Sequence, residues 1–391
     1  MKLLHTGDWH LGKRLFGVER MDEAEAALAQ VAEVAERESV DAVIVAGDLL
    51  DRRIVDPAAF GACLRAMERL ARVAPVLAVA GNHDDPDLWI HLAPHLAASG
   101  IHVAGRLRPA EEAVVTLETA SGPLHAALLP WPEPGRMALD AGASVQDARI
   151  RYADLVASVI RGYSEEALAR RRRGGGAAVL VGHLMVDRAT AGGGERELTM
   201  GITYAVSPAA LPAELDYIAL GHVHRPQSIP GLAAPGRYAG SPLALDFSDE
   251  GLEPSACVVE IAGDRTVTRL EPVTAARPLV SLRGPLDRMG EMAAAHPGAW
   301  FACAVELEAP VMDLVRRVRD EVPGALRVEP VYPPGQEDAA GAAEGGAEGG
   351  EGIGDLYGDW HRREGRALSP AQAAAFAEAM AAAERSDVEP G

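Results

Sequence analysis

Five short segments of this chain carry side chains able to hold metal ions or move protons. They are Asp8-Trp9-His10, Gly47-Asp48, Gly81-Asn82-His83-Asp84, Gly182-His183 and Gly221-His222-Val223-His224. Each follows an apolar run, so its carboxylate, amide or imidazole sits just past a strand-like stretch. Imidazoles, carboxylates and an amide, with no thiolate among them, suit hard to borderline ions in six-coordinate geometry, such as manganese, iron or zinc. Two ions about 3.5–4 Å apart need a shared ligand. Asp48 is the expected bridge, because it ends the central strand of the first three and has an oxygen for each ion. Asp8 and His10, two apart on an extended loop, converge on one ion. His222 and His224 repeat that spacing and are expected to divide, one to each ion. Ions held this way polarise phosphate oxygens, which points to hydrolysis of a phosphate ester rather than to redox chemistry or passive binding.

The elements that must position these groups are legible in the first 104 residues, where a short apolar strand, a polar loop and an alanine-rich helix repeat. Strands are expected near Lys2–Thr6, Ala42–Ala46 and Val76–Ala80, and helices near Met21–Arg37, Ala58–Arg72 and Asp87–Ala98. That alternation predicts βαβ crossovers and a mainly parallel sheet, with the motifs at the carboxyl ends of its strands. Further strands at Ala113–Leu117 and Leu124–Leu129 precede a helix from about Val145 to Arg173. Ala177–Val181 then delivers His183, and Tyr217–Leu220 delivers His222 and His224. A β-rich piece through Arg237–Ser241 and Ala256–Leu270 closes a first domain, 1–273.

Length and composition bound the rest. A chain of 391 residues is too long for one ordinary core. A second, α+β module is expected over 274–332, with strands Leu279–Leu282, Ala299–Leu307 and Leu326–Val331 and helices Leu286–Ala295 and Met312–Glu321. Residues 333–354, rich in Ala, Glu and Gly, read as a flexible linker. Residues 355–391 carry an apolar patch of Leu356, Tyr357 and Trp360, then a helix opened by Ser369-Pro370 with Phe376 and Met380 on one face. The patch could pack on its own domain, but the linker favours a tethered helix docking on another protein. No apolar stretch approaches the roughly 18–20 residues of a bilayer span, and the N-terminus lacks a signal-peptide layout. A soluble cytoplasmic protein is expected. The scattered Cys63, Cys257 and Cys303 read as core residues. The net charge of −20 opposes a free-standing nucleic-acid binder. However, 12 acids against 4 arginines in 336–391 place −8 of it in the tail, and two divalent ions would offset more at the site.

The ordered set D-x-H, G-D, G-N-H-D, G-H and G-H-x-H resembles the signature of the calcineurin-like metallophosphoesterases. With Met1-Lys-Leu-Leu-His-Thr-Gly-Asp-Trp-His-Leu-Gly-Lys13, it narrows to a resemblance, from residue 1 to about 332, to the nuclease subunits of bacterial SbcCD complexes. The resemblance implies an α/β fold: a four-layer metallophosphoesterase β-sandwich flanked by helices, a small α+β cap and a tethered helical tail. It implies that Asp8, His10, Asp48 and His224 hold one ion and that Asp48, Asn82, His183 and His222 hold the other, with manganese the expected metal. His83 would face the scissile phosphate, stabilising charge or protonating the leaving oxygen, and Asp84 would orient His83 or a neighbouring loop. Asp51 stands where some relatives carry a histidine. The implied activity is 3′ to 5′ trimming of double-stranded DNA ends and endonucleolytic cutting of single strands and hairpins, in recombination, replication and repair. The implied partners are DNA and a coiled-coil, SMC-like ATPase subunit, with a homodimer inside a heterotetramer.

Rival explanations attach to single features. A lone Gly-His after a strand is more often a hydrogen-bonded histidine, and Asp8 alone could cap a turn; five such pieces in order argue otherwise. Gly7 to Lys13 imitates a nucleotide-binding loop, but Arg14 stands where Ser or Thr must ligate magnesium. The run Arg170–Arg173 is better read as a solvated helix end than as a DNA contact. Arg14, Arg52, Arg53, Arg188 and Arg225, on motif loops, are better placed for phosphates. A small-molecule phosphodiesterase is the chief alternative, and a metal-free scaffold for the ATPase is the non-enzymatic one.

Overall fold

The computed structural model describes residues 1–134, 145–190 and 205–333, with backbone alone at 145–149. The linker and tail expected after residue 333 lie outside the described residues. The chain separates into two compact units, Met1–Glu306 with Asp313–Val331, and Leu307–Met312 with Tyr332–Gly391. The first unit holds the sandwich and the small module together.

Strands β1 (Lys2–Thr6), β2 (Ala42–Val45), β3 (Val76–Val79) and β4 (Ile101–Ala104) run parallel, linked by helices α1 (Met21–Glu38), α2 (Pro57–Ala71) and α3 (Pro86–Ala97). Asp-Pro pairs start two of these helices: Asp56 and Asp85 each accept a first-turn N–H, and the following proline has the φ a helix start needs. A second sheet contains β5 (Val114–Thr119), β6 (Gly122–Leu129), β7 (Ala177–His183), β8 (Tyr217–Gly221) and β9 (Gly236–Tyr238), in the order β9-β8-β7-β6-β5, with Gln227–Ser228 on its edge. The helix α4 (Val145–Gly174) lies over it.

Alternation along the strands makes the layers. In the first sheet Leu3, Ile44 and Leu77 face the second sheet, against Val179, Val181 and Ala219. Their neighbours Leu4, Val43, Val45 and Ala78 face Leu28, Val31, Met67 and Trp89 of the helices. In the second sheet Leu180, Ile218 and Leu220 face Val156 and Ile160 of α4. The result is an α/β fold of four layers: helix, sheet, sheet, helix.

Neither sheet is wholly parallel. The stretch expected as one β-rich piece is a hairpin, β10 (Ser255–Ala262) and β11 (Arg265–Pro272), turned at Gly263 and laid antiparallel on β1. β5 also pairs antiparallel with β6. Short-range periodicity cannot show that residues 255–272 return to the N-terminal strand. Nor does it separate strand β4 from the loop around it, or reveal the two-residue pairs Arg14–Leu15 with Val18–Glu19 and Met185–Val186 with Ala205–Val206.

The small module consists of three parallel strands, β12 (Leu279–Pro285), β13 (Trp300–Glu306) and β14 (Ala325–Val331), joined through α5 (Met289–Ala294) and α6 (Leu314–Glu321). It is fastened to α1. Glu23 accepts from Trp300 Nε1 at 2.8 Å, from the Arg277 backbone N–H at 3.0 Å and from Arg20 at 2.9 Å. The Arg277 guanidinium lies 3.5 Å from the Trp300 ring centre.

Candidate metal centre

All five motifs end strands of the two sheets: β1 leads to Asp8, β2 to Asp48, β3 to Asn82, β7 ends on His183 and β8 leads to His222. Because β1 to β3 and β7 to β8 are parallel within their sheets, their carboxyl ends gather at one rim. Four of the residues turn there with positive φ: Asp8 at 51°, His10 at 45°, Asp48 at 48° and His222 at 99°. A non-glycine residue so held is strained by roughly 1–3 kcal/mol, and such strain concentrates at functional sites. Gly47 has a φ of 92°, and a Cβ there would strike the His183 ring; a Cβ on Gly81 would strike the Asp48 carboxylate. Only glycine lets these loops close.

The side chains converge. Ligand atoms of Asp8, His10 and His224 lie within 4.8 Å of one another, as do those of Asp48, His183 and His222. His10 Nε2 and His224 Nε2 are 3.1 Å apart. Asn82 Oδ1 is 2.9 Å from His222 Nδ1 and 3.0 Å from His183 Nε2. Asp48 joins the groups, with Oδ2 at 3.5 Å from His10 Nε2 and 3.3 Å from His183 Nε2. Its Oδ1 accepts the His83 backbone N–H at 2.9 Å. One oxygen therefore faces both groups, where the sequence suggests one oxygen for each. His83 also falls within reach of His10 and Asp48.

This donor set fits divalent cations. It holds nitrogen and oxygen donors, buried except for the half-buried Asn82 and His224, and drawn from loops far apart in sequence. His183 gives its Nδ1–H to the Ala46 carbonyl at 2.7 Å, which turns Nε2 inward, where a cation in place of its proton would meet the lone pair. Burial holds His10 and His224 below the ordinary imidazole value, and burial with the charge of His183 takes His222 to about 3, so all three favour the neutral, ligating form. Burial also opposes charge on His183, but Asp48 and Asp8 outweigh it and raise the group to about 9. Asp48 is held well below its usual range, the pull of His183 and His10 exceeding the desolvation. A pocket that keeps its carboxylate ionised and draws a proton onto a histidine is one that calls for positive charge.

Surrounding groups fix these in place. Asp84 accepts backbone N–H groups from Gly81 at 2.8 Å, Leu50 at 3.0 Å and Leu49 at 3.2 Å, so it ties the Asp48 loop to the Asn82 loop rather than orienting the His83 ring. His83 instead gives its Nδ1–H to the Asp51 carbonyl at 2.7 Å. The Asp51 carboxylate stands 3.4 Å from His10 Nδ1. Trp131 packs on His222, with ring centres 5.0 Å apart. Sequence reasoning gives neither Asp51 nor Trp131 a role; the signal available for Trp131 is its place just beyond β6. The arginines Arg170 and Arg171 pair with Glu166 and Asp216 at the entry to β7, the end of the sheet opposite His183.

Residues 1–226 match the calcineurin-like phosphoesterase family. The chain belongs to that family, and it is a hydrolase of phosphate esters with candidate clusters of His and Asp for divalent metal. Similar proteins include SbcD, the nuclease component of SbcCD, from Bacillus subtilis, 30% identical over 350 residues, which covers 86% of this chain and 88% of the relative. Its counterparts from Rhodobacter capsulatus and Escherichia coli are 30% and 28% identical. They cover 74% and 82% of this chain and 76% and 81% of their own lengths. Among the described residues no helix is long and apolar enough to cross a membrane.

Proposed function

We propose that this chain is the DNA nuclease component of an SbcCD-type complex, working with manganese. The observation that carries the reading is the joining of two ligand groups through Asp48 Oδ2, in a chain that aligns with SbcD relatives along most of its length. Asp8, His10, Asp48 and His224 hold one ion, and Asp48, Asn82, His183 and His222 the other. The convergence of their donor atoms supports this division. When bound, two divalent ions polarise the scissile phosphate and lower the pKa of bound water.

The chain's own residues do the rest. Asp48 keeps the two groups in register, Asp51 and the Ala46 carbonyl hold His10 and His183 in orientation, and burial excludes bulk water. His83, with Nδ1–H committed to Asp51, keeps Nε2 for the substrate and serves the leaving oxygen as acid. Residues 274–332 form the cap over the substrate side of 1–273. Residues 333–354 tether the segment 355–391, which docks on a coiled-coil, SMC-like ATPase. Two copies pair within a heterotetramer in the cytoplasm, trimming DNA ends and cutting single strands and hairpins.

The test is incubation of the purified chain with manganese and either a DNA hairpin or a chromogenic phosphodiester. Cleavage of the hairpin is expected. Hydrolysis of the small ester alone, even with the ATPase added, would establish a small-molecule phosphodiesterase instead.

A further inference from the structure

Beside the metal centre a cleft of about 250 Å³ opens between the loops that follow β3, β4 and β6. Gly81, Pro86, Gly105, Leu107 and Trp131 form its walls. Trp131 is anchored by its backbone N–H on the Ala80 carbonyl at 2.9 Å, and its ring stands 5.0 Å from His222 and 6.1 Å from His183. Gly81 leads directly into Asn82 and His83, so the cleft and the metal centre share a wall.

The charges of this cleft are already matched. Arg53 pairs with Glu133 at 3.0 Å, and Arg106 with Asp87 at 2.6 Å. A second phosphate would find no surplus of cation there. A neutral, flat group would find the indole ring with proline and leucine beside it. Size points the same way, because drug-sized ligands fill roughly 300–1,000 Å³ and this cleft suits a single ring system.

We propose that the cleft seats the nucleobase of the nucleotide adjoining the scissile phosphate, stacked on Trp131. The inference rests on the nuclease reading. One sugar separates the phosphate of a nucleotide from its base, so a substrate with its phosphate against Asp48 and His83 carries its base into the neighbouring cleft. Arg53 and Glu133, engaged with each other, also line the cleft. Stacking accepts every base, so the subsite holds the strand without reading sequence.

The manganese-loaded chain is tested with single-stranded oligonucleotides that differ by one abasic position on either side of the cleaved bond. The wild type is expected to favour the intact strand in kcat/KM by roughly 5- to 150-fold, the range for stacking one base on an aromatic ring. Trp131→Ala and Trp131→Leu should bring that ratio near one, while Trp131→Phe keeps most of it. A wild-type ratio near one overturns the inference, as does a ratio that survives in Trp131→Ala and Trp131→Leu while their metal content falls, which would make Trp131 a prop for His222. A wild type that cuts neither oligonucleotide yet hydrolyses the chromogenic ester defeats the nuclease reading itself. One that cuts intact and abasic strands equally defeats only the subsite.

Discussion

His83 and Asp48 stand side by side yet should fail in different ways. His83→Ala is expected to lower cleavage by about 10²- to 10⁴-fold, the usual share of a general acid, with both ions still bound by elemental analysis. Loss of metal in that variant would move His83 into the ligand set, beside the group it shares with His10 and Asp48. Asp48→Ala, by contrast, should empty both positions, since Oδ2 faces both groups. Asp84→Ala tests a purely structural role. It strips the partner from three buried N–H groups and should destabilise the fold by at least about 3 kcal/mol, read from the denaturant midpoint. The identity of Asp8, His10, Asn82 and His183 as candidates is visible in the sequence because each follows an apolar run. The roles of Asp51 and Trp131 are not, because an acid in a loop and an aromatic after a strand take their meaning from what folds against them.

At the scale of elements, helix α1 and the small module are coupled through one carboxylate. Partial burial pushes Glu23 upward, but hydrogen bonds from Arg20 and Trp300, the Arg20 charge and the Arg277 N–H outweigh it and hold the group below its usual range. A carboxyl held low in the folded state contributes stability that is present above its unfolded value and is lost as pH falls through the folded one. Hydrogen exchange of residues 277–331 should therefore accelerate on acidification below the ordinary glutamate range, before that of β1 to β3. Glu23→Gln should weaken the junction by about 1.5–3 kcal/mol at neutral pH and remove most of this acid sensitivity, measured by urea unfolding at two pH values. An unchanged acid profile in Glu23→Gln would show that other carboxylates govern it. Among the described residues most helices and strands are legible from periodicity, and their observed limits differ from the expected ones by up to three residues. The hairpin β10–β11 is legible as β structure but not as a neighbour of β1.

For the whole molecule, metal and fold should be linked. The candidate ligands come from both sheets and include four strained backbone positions, so cations that bind only the folded centre must stabilise the sandwich. Manganese at a hundredfold excess over its dissociation constant should add about 2.7 kcal/mol for each site it fills, seen as a rise in Tm that a chelator reverses. A melting curve indifferent to both manganese and chelator would speak against the centre. Under the proposed function the net charge of −20 makes the same demand from outside, since an acidic nuclease needs cations where the phosphates lie.

The sequence alone determined the strand-and-helix alternation, the residue types able to hold two ions, and the family whose order of motifs they follow, because those signals are local: apolar runs, turn residues and donor chemistry a few positions apart. The tertiary structure decided which atoms meet. That Asp48 turns a single oxygen to both groups and that a neutral cleft opens beside Trp131 depend on packing two sheets face to face, and that Asp84 ties two loops instead of steering His83 depends on the parallel pairing of β2 with β3. Contacts between residues tens to more than a hundred positions apart leave no periodic trace in the chain that makes them.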